Sequence, residues 1–109
     1  MLYGQVKGVD KPVSRLVLGT MIINLADEQK SFGLLDAARE LGWNALDIAH
    51  IYAGGDSERC VGKWLEARGC RDDMFLITKG AHPNRDRKRV TPFDIASDLH
   101  DSLTRLRTD

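Results

Sequence analysis

The 109 residues carry 42% hydrophobic side chains, enough for one small core, and 16 basic side chains cancel 16 acidic ones. A balanced charge leaves no overall field to draw the chain to nucleic acid or to an anionic membrane, so small molecules are the expected partners. Cys60 and Cys70 fit neither a metal-binding nor a disulfide spacing, and no apolar stretch approaches the ~20 residues of a membrane span; a cytoplasmic protein without a metal centre is expected.

In chain order, Met1 to Val6, followed by Gly8 and Pro12, predicts a small N-terminal hairpin or irregular cover. The first apolar run is Leu16-Val17-Leu18. Asp27 then caps a helix whose apolar stripe is Phe32, Leu35, Ala38 and Leu41, with Gly42 ending it. A second run, Ala45 to Ile48, leads through a Gly-rich connection to a helix opened by Ser57-Glu58. Val61, Trp64 and Leu65 form its inner side and Gly69 its stop. The third run is Met74 to Ile77. After it, Gly80 to Val90 contains Arg85, Arg87, Lys88 and Arg89 with Pro83 and no interleaved aromatics, which reads as a solvated loop. Thr91-Pro92-Phe93-Asp94 starts the last helix, with a hydroxyl cap, proline in the first turn and an acid behind it. Ile95, Leu99, Leu103 and Leu106 recur on one face as far as about Arg107. The three runs start at intervals of roughly 30 residues, the length of one βα repeat, and are apolar on both faces as buried parallel strands are. Alternation of strand and helix predicts a further strand after Asp109.

In such a fold, reactive groups come from the C-terminal ends of the strands. Asp47 ends the second run, Tyr52 lies in the connection after it, and Lys79 ends the third run after Thr78. Neighbouring parallel strands would bring a carboxylate, a phenol and an ammonium to one mouth. A free phenol ionises near pH ~10, and an adjacent ammonium stabilises its anion, so Lys79 would make Tyr52 a usable acid. A buried ammonium needs a counter-charge, which Asp47 supplies. Each residue also has a structural reading: an Asp at a strand end caps turns, a loop Tyr covers a core, and a Lys is solvated.

The segment Asp47-Ile48-Ala49-His50-Ile51-Tyr52, followed by Gly55-Asp56-Ser57-Glu58 and Val61-Gly62, resembles the aldo-keto reductase signature. Leu16-Val17-Leu18-Gly19-Thr20 is similar to that family's first-strand Leu-Gly-x-Gly-Thr, with Val17 in place of the first glycine. Leu76-Ile77-Thr78-Lys79 is similar to its third-strand Thr-Lys motif, and Thr91-Pro92, Leu99, Ser102-Leu103 and Arg105-Leu106 to its third helix and that helix's Ser-Leu-x-x-Leu ending. The resemblance spans nearly the whole chain. It implies an α/β fold, an incomplete TIM (β/α)₈ barrel of about the first three βα units of eight. Residues 1–109 would form the N-terminal part of an NADP(H)-dependent oxidoreductase domain. The implied reaction reduces a small-molecule carbonyl to an alcohol by hydride transfer, with Tyr52 as proton donor, Lys79 tuning it and Asp47 pairing with Lys79. Gly19, Thr20, Asp47 and Tyr52 are the implied cofactor-facing residues. The family's fourth catalytic group is a histidine ending the fourth strand, a place beyond Asp109, so the isolated chain is expected to be truncated and inactive.

His50, His82 and His100 do not stand at that place, and structural or surface roles are expected for them, with His82 able to line the pocket mouth. No G-x-G-x-x-G follows a strand, so a Rossmann-type cofactor site is not supported. Trp43 and Trp64 read as packing residues and Cys60 as a small core residue. The alternative to a reductase is a non-enzymatic binding or regulatory subunit built on the same fold. A third possibility, an unrelated α/β module, is opposed by the ordered Asp47, Tyr52, Gly55, Ser57, Glu58 and Lys79 pattern.

Overall fold

The computed structural model describes all 109 residues, Met1–Asp109. The chain opens with an antiparallel hairpin of β1 (Tyr3–Gly4) and β2 (Val13–Ser14), in register Tyr3 to Ser14. Then come β3 (Leu18–Gly19), α1 (Glu28–Glu40), β4 (Ala45–Asp47), α2 (Asp56–Arg68), β5 (Phe75–Ile77) and α3 (Pro92–Leu106). Strands β3, β4 and β5 form one parallel sheet in that order, pairing Leu18 with Leu46 and Leu46 with Leu76. The α/β fold of three successive βα units is therefore the one expected. No helix is long and apolar enough to cross a membrane.

The hairpin closes the N-terminal end of this sheet. The Asn44 side chain, just before β4, accepts from Ser14 N–H at 2.8 Å and donates to Pro12 O at 2.8 Å. Tyr3 Oη donates to Gly42 O at 2.8 Å and Lys11 Nζ to Met74 O at 3.1 Å. Loops at the opposite, C-terminal end of the strands are thereby left as the open face.

Helix signals in the sequence act largely as expected. Asp27 caps α1, accepting from Lys30 N–H at 3.3 Å, and Gly69 ends α2 in the left-handed region at φ 59°. Thr91 and Asp94 form a reciprocal capping box at the start of α3. The core gathers Leu35 from α1, Leu46 and Ile48 around β4, and Val61, Trp64 and Leu65 from α2. Cys60 and Cys70 are free, buried thiols within it.

Three expectations are corrected. Leu41 does not join the inner stripe of α1; it is the C-cap residue and points outward. Leu16 and Val17 are exposed and precede β3, which begins only at Leu18, and Ile77 is exposed on β5, an edge of the sheet, whereas Ala45 and Leu46 of the central β4 are buried. Most telling is α3. Its inward line is Asp94, Asp98, Ser102 and Leu106, whereas Ile95 and Leu99 on the predicted apolar face are each 52% exposed.

The inward carboxylates of α3 are accommodated by the loop before it. Arg87 makes a two-point contact with Asp94 at 2.7 and 2.8 Å, and Arg89 one with Asp98 at 2.8 and 2.9 Å. Buried charges persist only when paired and hydrogen-bonded, and the planar guanidinium suits a carboxylate at two points. Arg87 and Arg89 are thus structural anchors and not merely solvated side chains, as the loop reading had them.

Candidate active site

Asp47, Tyr52 and Lys79 converge at the C-terminal end of the sheet. Asp47 is the last residue of β4 and pairs in register with Gly19 and Ile77 on either side. Lys79 follows β5 by two residues, and His50 N–H donates to its carbonyl at 2.9 Å, tying the β4 and β5 loops together. Lys79 Nζ donates to Asp47 Oδ1 and, at 2.6 Å, to Ile48 O. The same ammonium lies 5.0 Å from the ring centroid of Tyr52, within cation–π range.

Tyr52 opens a tight turn, Tyr52–Gly55, in which Ala53, Gly54 and Gly55 all have positive φ. Left-handed backbone is costly for a residue with a Cβ, so Ala53 at φ 51° marks a held conformation. This turn reverses the chain from β4 into α2 and keeps the Tyr52 ring beside the strand ends.

Electrostatically, partial burial acts against the Lys79 ammonium, but the hydrogen bond and charge of Asp47, joined by Tyr52, outweigh it. The Lys79 pKa is held above the ordinary lysine value. The pair is not buried as the sequence reading supposed: Lys79 and Asp47 side chains are 47% and 46% exposed. Both lie at the C-terminal end of the parallel strands.

Of the expected cofactor-facing residues, Gly19 is exposed, with no other atom within 4 Å of where a Cβ would stand. It leaves free space directly beside Asp47. Thr20 behaves differently, since its side chain is fully buried. Its N–H and hydroxyl both donate to Asp47 O, at 3.1 and 3.0 Å, and Ser57 Oγ donates to Thr20 O at 2.8 Å.

Sequence reasoning placed Glu58 at the opening of the second helix and in the family motif, with no partner assigned to it. It is a fully buried carboxylate beneath the site, accepting from Thr78 Oγ1 at 2.7 Å and paired with Arg105 Nη1 at 3.2 Å. The adjacency of Glu58 to the Tyr52 turn was the available signal; its partner Arg105, 47 residues on, was not foreseeable.

The histidines take the structural places expected of them. His50 is half-buried, its Nε2 lying 2.9 Å from Asp101 Oδ2 and 3.5 Å from Asp98 Oδ1. These three groups are close enough to share a cation, but the Asp98 oxygens are already engaged by Arg89 and by the Ala81 N–H at 2.8 Å. His82 is exposed beside His50 and Ile51 in a shallow depression, and His100 lies on the outer side of α3.

Comparison with known proteins bears on the family and the fold. The aldo/keto reductase family profile matches residues 15–109. Norsolorinic acid reductase of Aspergillus flavus is 44% identical over 75 residues, covering 62% of this chain and 19% of its own length. Aryl-alcohol dehydrogenase [NADP(+)] of Phanerodontia chrysosporium is 45% identical over 62 residues, 57% of this chain and 15% of that protein. The holo form of an aldo-keto reductase from Bacillus halodurans superimposes with a TM-score of 0.83 at 35% identity, covering 100% of this chain and 37% of its own. The chain thus spans under a fifth of those two relatives and little over a third of that structure.

Proposed function

Because this chain belongs to the aldo/keto reductase family of oxidoreductases, we propose that its gene product moves a hydride between NADP(H) and the carbonyl carbon of a small molecule, with Tyr52 as proton donor in reduction. The observation that carries this reading is the position of Lys79, bonded to Asp47 on one side and 5.0 Å from the Tyr52 ring on the other. As the Tyr52 hydroxyl gives its proton to the substrate oxygen, negative charge grows on Oη, and the Lys79 ammonium stabilises it. Asp47 keeps that ammonium protonated and fixed in place. The phenol is the acid and the amine never leaves its charged state.

The residues present fit a nicotinamide cofactor. Gly19 offers a flat, open approach next to Asp47, and a glycine lets a planar ring come close to backbone. Gly19, Asp47 and Tyr52 would line that ring's place, while Thr20 contributes by fixing Asp47 through its carbonyl. When bound, the cofactor supplies the hydride. The aryl-alcohol relative's name includes NADP(+), which favours the phosphorylated dinucleotide and makes an aryl aldehyde the first substrate to try. A small-molecule enzyme of the cytoplasm is the accompanying expectation.

The experiment is direct. The purified native gene product, given NADPH and an aryl aldehyde, should consume NADPH in step with alcohol formed. Absence of carbonyl-dependent NADPH or NADH oxidation across aromatic and aliphatic aldehydes and ketones would refute the proposal.

A further inference from the structure

The Gly55-Asp56-Ser57-Glu58 turn that opens α2 makes no hydrogen bond or ion pair with the Lys79 ammonium, yet hydrogen bonds radiate from it to the surroundings of each member of the trio. Ser57 holds Thr20, and Thr20 holds the Asp47 carbonyl with two donors. Glu58 Oε1 accepts from Thr78, the residue leading into Lys79, at 2.7 Å. Glu58 Oε2 pairs with Arg105 Nη1, and that nitrogen also donates at 2.8 Å to the carbonyl of His50, two residues before Tyr52. Gly55 makes the room: a Cβ there would lie 2.7 Å from the guanidinium carbon of Arg105.

A buried ion pair is a poor device for stability alone. Two charges must be desolvated, and apolar residues of similar volume often serve as well or better. What it provides is direction. One carboxylate with 0% exposure ties α2, α3, the end of β5 and the Tyr52 loop together at hydrogen-bond distances. From Ile51 to Gly55 the backbone hydrogen bonds are all short-range, so the long-range hydrogen bonds that hold this loop enter through Asp47, Ile48 and His50.

We infer that Glu58 and Arg105 are positioning residues for the proton-transfer pair, fixing Tyr52 against Lys79 by holding Thr78 and the His50 carbonyl from a single buried charge. This rests on the assignment of Tyr52 and Lys79 to proton transfer. Misplacement of such groups by ~1 Å typically costs ~100-fold in rate, which explains why a buried charge is kept here.

The test reads geometry and not turnover, in the 109-residue chain itself. Competitive acetylation with acetic anhydride across pH, followed by mass spectrometry, yields the Lys79 titration. In the unaltered chain the contact with Asp47 and Tyr52 should make Lys79 titrate above ordinary lysines. The double variant Glu58→Gln with Arg105→Met removes the pair without changing net charge or leaving a buried ion alone. Lys79 should then titrate lower and acetylate about threefold faster at about pH 9. Thr78→Val, which deletes only the hydroxyl to Glu58, should act in the same direction. Leu65→Ala removes core volume away from these bonds and should lower the melting temperature while leaving the Lys79 titration unmoved.

Unchanged Lys79 titration in Thr78→Val and in the double variant, with circular dichroism showing folded chains, would overturn the inference. Should the double variant not fold, Thr78→Val decides alone. A gene product that shows these Lys79 shifts yet reduces no carbonyl would sink the reductase proposal and leave the positioning network standing.

Discussion

Gly62 sits where α2 crosses α3, and replacing it with alanine should loosen that crossing. A Cβ at Gly62 would overlap the Arg105 carbonyl oxygen and stand 2.9 Å from both the Cα and carbonyl carbon of Leu106. These are backbone atoms, so no rotamer change relieves the overlap; the helices must part by about 1 Å, partly exposing Leu106, which is 3% exposed. Overpacking of this kind costs about 1–3 kcal/mol, at the upper end where backbone must move. Alanine returns about 1 kcal/mol through helix propensity. The net loss is about 2 kcal/mol, or a fall of about 10 °C in melting temperature for a domain of this size. Gly33, in the middle of α1, has nothing within 4 Å of its would-be Cβ. Gly33→Ala should therefore gain up to about 1 kcal/mol and melt about 4 °C higher. Thermal unfolding followed by circular dichroism compares the two. A Gly62→Ala chain as stable as the parent, or one shifted in the same direction as Gly33→Ala, would refute the crossing described.

Other predictions follow from the ion pairs, the hairpin and the thiols. Asp94 is held well below the usual carboxylate range by hydrogen bonds from Arg87 and Thr91, and Asp98 is lowered by Arg89 against its burial. Their folded-state pKa values lie below the unfolded ~3.9, so this stabilisation is present above that pH and is lost as pH falls from there through the folded values. The melting temperature should drop steeply below about pH 4, and Asp98→Asn should flatten the slope; an unaltered slope would contradict the pairing. Asn44→Ala removes the two Asn44 side-chain bonds to the hairpin and should cost about 1–2 kcal/mol in urea unfolding, with faster amide exchange at Ser14. Burial raises the Cys60 and Cys70 thiols above their ordinary pKa. Neither should react with a disulfide reagent until denaturant exposes both, and rapid labelling of either in native buffer would argue against the core arrangement.

The strands and helix limits were legible because they depend on local chemistry. Even spacing of three apolar runs, Thr91-Pro92 before α3, and Gly69 after α2 each encode structure within a few residues. The trio of Asp47, Tyr52 and Lys79 was legible for a related reason: once strands are parallel and neighbouring, their C-terminal ends must share one rim. What escaped was long-range and polar. Hydrophobic periodicity turned Ile95 and Leu99 inward, whereas Asp94, Asp98 and Ser102 recur at the same helical spacing and take that face. Their orientation is decided by Arg87 and Arg89, whose guanidinium pairing no periodicity reveals. Thr20 was read beside the cofactor through its motif, yet its hydroxyl is turned to the Asp47 carbonyl, a contact 27 residues away. Glu58 escaped for the same reason, its value residing in Arg105 and Thr78.

Replacing Tyr52 by phenylalanine in the native gene product tests the central claim most directly, because the ring keeps its place over Lys79 and only the acidic hydroxyl is lost. Carbonyl reduction should fall by about 10²- to 10⁴-fold while NADPH binding, followed by fluorescence, stays within about twofold of the parent. Turnover by Tyr52→Phe equal to that of the parent would contradict the role of Tyr52 and with it the account of the site.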